Sequence, residues 1–306
     1  MYRRIIWGQV LQCNTQTQQM KTAKIIVCCH KQDVMAKQEP YLPIHVGKAI
    51  SSAELGVQED NDGENISDKN RSYCELTGLY WAWKNLKNVD IIGLCHYRRY
   101  FDFHGQCDSV MPETAFATDK FDKVDLSVPK SILNDVKDGV AYVAKPRFYR
   151  HSLYEDYCCA HISDDIRTLE EYIMTTQPES IKWAWYEYMH RNCQLRHYNM
   201  FLMTWHDFDA YCSWLFPLLQ EMENRIDISH YTPVQGRIFG YMAERLMNVW
   251  LLANKFKLHE QPVIWFCDYP GKASRSHLKY YRNLFRSKLA LAITRGDYKN
   301  FRKSWQ

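Results

Sequence analysis

Two short polar clusters, each directly behind an apolar run, carry the cations that could hold a phosphate. Lys24 to Cys29 (KIIVCC) halts at His30-Lys31, and Asp90 to Cys95 (DIIGLC) ends in His96-Tyr97-Arg98-Arg99-Tyr100. In an open α/β sheet ligands bind outside the carboxyl ends of the strands, so two such runs in one sheet would turn their polar ends to one crevice. Up to three fixed positive charges would then stand together. That suits a diphosphate and the charge it develops as a leaving group, because guanidinium groups match phosphate oxygens in bidentate geometry. The alternative for the same residues is a salt-bridge network at the strand ends.

The elements that must position these clusters follow from periodicity. KIIVCC and DIIGLC read as buried parallel strands. Between them, residues 32–66 are rich in Pro, Gly, Asp and Asn and read as a long loop with short elements, its densest part being DNDGENIS. Ser72 is expected to cap a helix from Tyr73 to Leu86, with Glu75 completing a capping box and Leu76, Leu79, Tyr80 and Trp83 at helical spacing. Tyr80, Trp81 and Trp83 cannot share one face, so one of them is expected to be exposed or ligand-facing. Further along, Val140–Ala144 reads as a strand, 153–175 and 179–192 as helices, Tyr198–Thr204 as a strand and 207–222 as a helix. A long helix from Pro233 to Asn254 carries Ile238, Tyr241, Met242, Leu246 and Val249 on one face. Strands alternating with helices predict an α/β fold with a mostly parallel sheet.

Composition sets the frame around these elements. At 306 residues and 46% hydrophobic content the chain can bury one large core, and we expect one domain over 22–271, an N-terminal arm over 1–21 and a basic tail over 272–306. Ten Lys/Arg against Asp297 alone give the tail a charge of +9, leaving −5 over residues 1–271; that acidic body argues against a nucleic-acid partner. Eleven cysteines, an odd number without a CxxC, read as small reduced core residues such as Cys74, Cys95 and Cys212, and structural zinc is not expected. No run of about 18 apolar residues occurs, and the first residues lack the apolar core of a signal peptide, so a cytoplasmic location is expected. In the tail Leu278, Tyr281, Phe285 and Leu289 recur at helical spacing beside Lys279, Arg282, Arg286 and Lys288. This reads as a basic amphipathic helix on an anionic membrane surface, or as a surface helix docked on the domain by those apolar residues. GxGxxG after a strand, GxxxxGK[ST], HExxH and GxSxG are all missing, which weakens dehydrogenase, kinase, metalloprotease and esterase readings.

KIIVCCHK, DGENISDKNRSYCELTGLYWAWKN, IGLCHYRRYF, NMFLM and QGRIFGYMAERL together resemble a family of capsular and exopolysaccharide biosynthesis proteins. That family was long catalogued only as a domain of unknown function and is associated with glycosyltransferase activity, including galactofuranosyl transfer. The resemblance, over about residues 22–270, implies a GT-A-like nucleotide-sugar-binding fold with a helical C-terminal part. It implies a UDP-sugar donor, with galactofuranose favoured, and a lipid-linked or oligosaccharide acceptor. On the GT-A plan DIIGLC occupies the strand that usually ends in an Asp-x-Asp metal motif, and this sequence has His-Tyr-Arg-Arg there. Arg98 and Arg99 can neutralise a diphosphate directly, which puts a divalent metal (Mn or Mg) in doubt, while His96 or the Asp60-x-Asp62 pair are the residues that could still hold one.

Donor-binding candidates are then His30, Lys31, His96, Tyr97, Arg98 and Arg99, joined by Asp62, Asn65, Asn70 and Glu75, whose polar groups could bind ribose or sugar hydroxyls at a helix N-terminus. Asp and Asn also simply favour turns. The general plan adds Asn199 on the sugar or acceptor side and Arg237 from the long helix. An inverting transfer needs a carboxylate to accept the acceptor's proton, with Glu244 the first candidate and Asp156 the second; Glu244 could equally pair with Arg237 or Arg245. His161 reads as a structural histidine. The competing readings are a non-enzymatic module binding polysaccharide or nucleic acid, and a phosphosugar transferase or hydrolase using the same cationic pocket.

Overall fold

The structure, a computed structural model, describes residues 21–273, 276–293 and 297–305. The arm expected over 1–21 therefore lies outside the described residues except for Lys21, as do Arg275 and Arg295 of the tail.

Twelve strands are formed: β1 (Ala23–Cys29), β2 (Tyr41–His45), β3 (Gln58–Glu59), β4 (Ile91–His96), β5 (Arg99–Phe101), β6 (Glu113–Ala117), β7 (Val140–Ala144), β8 (Arg147–Phe148), β9 (Gln194–Leu195), β10 (Phe201–Thr204), β11 (Lys257–Gln261) and β12 (Val263–Cys267) among the described residues. The main sheet runs β3-β2-β1-β4-β10-β7-β11, with β12 bridging β5 and β6 at one side and β8 pairing β9 separately. Within that run only β10 is antiparallel to its neighbours. The alternation of strand and helix thus yields the mostly parallel sheet that the sequence predicts.

Side-chain alternation decides the layers. Ile26, Cys28, Ile92 and Leu94 enter one core, and Ile25, Val27, Ile91 and Cys95 enter the other. Both faces are covered, which is why these strands are apolar throughout; each such aliphatic chain taken out of water contributes about 1.5–3 kcal/mol. The first face is covered by α2 (Leu76–Asn85), introduced by the single turn α1 (Asn70–Tyr73), and by helices C-terminal to α3 (Lys130–Asp135). These are α4 (Leu153–Ala160), α5 (Ser163–Thr176), α6 (Glu179–Trp185), α7 (Trp205–Arg225) and α8 (Ile238–Ala253). Ile238, Met242, Leu246 and Val249 of α8 are all buried, as their spacing predicts. The tail forms α9 (Pro270–Ala273), α10 (His277–Ile293) and α11 (Tyr298–Lys303).

Several elements differ from expectation. The helix predicted from Tyr73 to Leu86 is broken at Cys74, which sits at φ 53°, ψ −129°. Ser72 Oγ donates to the Lys69 carbonyl at 3.1 Å, so the expected capping box does not form and Glu75 is released for other work. β2 appears inside the stretch read as loop, with Pro43 in a strand whose outer neighbour β3 pairs only Ile44 and His45; proline is tolerated there because its missing N–H faces a free edge. The segment 153–175 is two helices, and the segment after 179 ends in a π turn, Tyr186–His190. Trp81 is buried while Tyr80 and Trp83, half-buried, close around Phe216, so none of the three stands fully exposed.

Candidate functional site

The parallel register of β1 and β4 puts Cys28 beside His96, and the chains leaving them stay together, His30 meeting Tyr97 edge-on at 5.5 Å between ring centres. Behind these strand ends opens a cleft of about 1000 Å³. Its floor and near wall are Cys28, His30, His96, Tyr97 and Arg99. The broken helix supplies Asn70, Arg71, Cys74 and Glu75, and Arg237 and Glu244 close it from the far side. The segment with Ile228, Tyr231 and Pro233 forms the rim.

Tyr198, which sequence reasoning missed, organises the centre. Tyr198 and Asn199 both have left-handed backbone, φ 76° and 53°, a region that asparagine tolerates and that costs a tyrosine strain of about 1–3 kcal/mol. The turn is held from three sides. The Tyr198 N–H donates to Glu244 Oε1 at 2.7 Å, the His96 Nε2–H donates to the Tyr198 carbonyl at 2.7 Å, and Asn199 Nδ2 donates to Glu75 Oε1 at 2.7 Å. It delivers the Tyr198 ring between two guanidinium groups, Arg99 at 4.6 Å and Arg147 at 5.0 Å, with the phenol and Arg147 both bonded to Glu113. The only advance sign of this turn is the Tyr-Asn pair just before an apolar strand.

The cations differ from the expected set. Arg98 forks onto Asp33, at 3.0 and 2.9 Å, and onto Asp268, and does not line the cleft. Lys31 also lies outside the lining and pairs with Asp33 at 3.6 Å. Desolvation lowers the His96 pKa to about 4, with Arg99 adding to the effect and Glu75 opposing it, so this imidazole is neutral near pH 7. The positive charge therefore comes from Arg99, Arg237 and Arg71. Arg99 Nε is buried without a hydrogen-bond partner among the described residues. Arg237 donates to Cys74 Sγ at 3.3 Å and forms no ion pair among the described residues.

The loop candidates divide in the same way. Asn70 lines the cleft and ties down the helix break, its amide donating to the Cys74 carbonyl at 2.7 Å. Asp62 and Asn65 do not line it: Asp62 accepts from Trp81 Nε1 and from Gln58, and Asn65 closes an Asx turn onto Asn61, Gly63 and Ser67. Asp60 is fully buried, accepting from the Gly47 and Lys48 amides. Asp60 and Asp62 are thus each committed elsewhere, His96 is spent on Tyr198, and no group of three or more His, Cys, Asp or Glu that could hold a metal is found among the described residues. The residues that the sequence offered for a divalent cation, His96 and the Asp60-x-Asp62 pair, are not brought together in the cleft.

Glu75 and Glu244 are the carboxylates of the cleft lining. Burial alone would raise the Glu244 pKa, but His197 at 3.4 Å and Arg245 at 3.4 Å pull it down to about 2. Asp156 lies outside the lining, 4.0 Å from the far side of the same Arg245, and burial raises its pKa. His161 packs on Tyr241 at 4.1 Å between ring centres, a structural role as the sequence suggests.

Residues 24–255 match the family described as a domain of unknown function, DUF4422. Among solved structures, that of WbbM, described as a bifunctional glycosyltransferase in its apo state, is similar with a TM-score of 0.72 and 26% identity, over 80% of this chain. The chain spans 45% of the WbbM chain's length. No curated protein matches the chain. The fold is the GT-A-like α/β architecture with a mostly parallel central sheet and a helical C-terminal part.

Proposed function

The chain belongs to the DUF4422 family of unknown function, and from that premise we propose that it is a glycosyltransferase moving a sugar from a UDP-sugar to a capsular, exopolysaccharide or O-antigen precursor. The similarity to WbbM, itself a glycosyltransferase, supports the class of reaction. Galactofuranose is the sugar favoured by the sequence resemblance, and a lipid-linked or oligosaccharide acceptor at the cytoplasmic face is its natural counterpart.

One observation carries the reading: three guanidinium groups and two carboxylates converge in a cleft at the carboxyl ends of two adjacent parallel strands. In this reading Arg99 and Arg237 hold the donor diphosphate and stabilise the charge that grows on it as the glycosidic bond breaks. Arg71 faces the same space. Tyr97 and His30 offer ring surface for the base, and Asn70 and Asn199 polar atoms for hydroxyls. No step runs through a metal. Calorimetric titration of UDP into the wild type and the Arg99→Ala and Arg237→Ala variants tests this. Charge-assisted hydrogen bonds are worth about 1.5–3 kcal/mol, so each loss weakens binding about tenfold or more. Unchanged affinity in both folded variants would remove the diphosphate from this cleft.

A further inference from the structure

The tail presents a face that the fold leaves uncovered. On α10, Leu278, Tyr281, Phe285 and Leu289 are 79%, 51%, 69% and 49% exposed, so they do not dock the helix on the domain. The opposite face does that. Tyr280 packs on Phe148 at 5.6 Å, Asn283 Nδ2 donates to the Phe148 carbonyl at 3.4 Å, and Ser287 is 2% exposed. The helix is further fixed by His277 on Asp108 and, through α11, by Phe301 against Tyr186 and His190. An apolar stripe facing solvent on a helix already anchored by its other side is not a core face awaiting a partner element.

Charge says what covers it. At 3.6 residues per turn Lys279, Arg282 and Arg286 fall along one flank of the stripe and Lys288 along the other. All four are exposed, none forms an ion pair among the described residues, and α10 contains no acidic residue. An apolar strip edged by cations is the pattern of a helix lying in a lipid interface, its rings and aliphatic chains in the acyl boundary and its cations at anionic headgroups. A second protein surface would need a row of carboxylates around an apolar groove, and the body of this chain, though acidic, is already using its Asp108 and Glu179 to hold the tail in place.

We propose that α10 docks this protein on an anionic phospholipid bilayer through Leu278, Tyr281, Phe285 and Leu289 flanked by Lys279, Arg282, Arg286 and Lys288. The same helix sits close to the cleft: Phe148 under Tyr280 adjoins Arg147, whose guanidinium lies 5.0 Å from the ring of Tyr198 in the cleft wall. A bilayer beneath α10 is therefore within a few side chains of the site, where an acceptor carried on a lipid would be presented. The docking itself stands whether or not the cleft transfers a sugar.

Sedimentation of the full chain with phosphatidylglycerol/phosphatidylcholine vesicles and with phosphatidylcholine vesicles tests it, alongside the Leu278→Ser/Phe285→Ser and Arg282→Ala/Arg286→Ala variants. The wild type is expected to bind the anionic vesicles at least tenfold more tightly than the neutral ones. Each double variant is expected to lose about tenfold or more, and the cation variant's residual binding to lose salt sensitivity. Unchanged UDP affinity and thermal midpoint show that the variants are folded. Absence of vesicle binding, or binding that neither variant weakens, overturns the proposal. So does a dimer that Leu278→Ser/Phe285→Ser converts to monomer without lipid, which would make a second copy the occupant, and so does binding that appears only when residues 1–19 are removed.

Discussion

Glu75 and Glu244 reach the same cleft but are held differently, and on the proposed reading the difference separates their roles. Glu244 accepts from a backbone N–H and faces His197 and Arg245, with its pKa pulled to about 2. Such a carboxylate is a poor proton acceptor, since general-base efficiency falls as the base's pKa drops below the operating pH. Glu75 has a single side-chain donor among the described residues, Asn199. We therefore expect Glu75→Gln to lower kcat by about 10²- to 10⁴-fold with UDP affinity kept, and Glu244→Gln to lower thermal stability as well as turnover, because it loosens the strained Tyr198 turn. Single-turnover rates and melting curves of the two variants check this; full turnover in Glu75→Gln with a stable, inactive Glu244→Gln would return the base to Glu244. The sequence put Glu244 first and Asp156 second as the base and read Glu75 as a hydroxyl-binding or capping residue, because the setting of each carboxylate depends on Tyr198, His197 and Arg245, which lie outside any local pattern. Likewise Arg98 and Arg99 are indistinguishable as letters. Arg98 lies in the two-residue turn between β4 and β5 while Arg99 opens β5, and only the fold decides that Arg99 faces the cleft and Arg98 faces Asp33 and Asp268.

Elements whose burial is two-sided were legible, and those shaped by a single backbone contact were not. KIIVCC, DIIGLC and VAYVA stand out as apolar runs and are β1, β4 and β7. β2 is hidden by Pro43 and its polar surroundings, and the break at Cys74 has no signal because cysteine is not a turn residue. Gly93, in the middle of β4, shows how close these contacts are. A methyl group there would lie 2.9 Å from the Phe201 carbonyl oxygen of β10 and 3.2 Å from Ile25 of β1. Backbone cannot yield as a side chain can, so Gly93→Ala must push β10 off β4. Overpacking of this kind costs about 1–3 kcal/mol, and β10 carries the Tyr198 turn at its start, so UDP binding should weaken with stability. Gly236 in the cleft lining has nothing within 4 Å of such a methyl, and Gly236→Ala should leave the urea midpoint within about 0.5 kcal/mol of wild type. Equal stability of the two variants would mean that the β4–β10 approach is looser than described.

Taken as a whole, the chain separates its charge into an acidic body, −5 over residues 1–271, and a tail of +9. A net-negative body does not draw an anionic nucleotide in from a distance, and with a Debye length of about 8 Å at physiological salt the tail's charge reaches only its own surroundings. On the proposed reading donor recognition must therefore be local. Arg99, Arg237 and Arg71 would supply it from inside the cleft, where partial burial makes a guanidinium–phosphate contact stronger than in water. The position where a metal-binding Asp-x-Asp would stand holds a neutral His96 hydrogen-bonded to a carbonyl, while Asp60 is bonded to the Gly47 and Lys48 amides and Asp62 to Gln58 and Trp81. On the proposed reading a cation added at this place would compete with Arg99 for the same phosphate oxygens. UDP affinity is accordingly expected to agree within about twofold in EDTA, in Mg²⁺ and in Mn²⁺, a range small beside the tenfold loss expected from removing one arginine. Calorimetry under the three conditions, with Arg99→Ala measured beside the wild type, decides it: tenfold tighter binding in Mn²⁺ that survives Arg99→Ala would place the diphosphate on a metal instead of on the arginines.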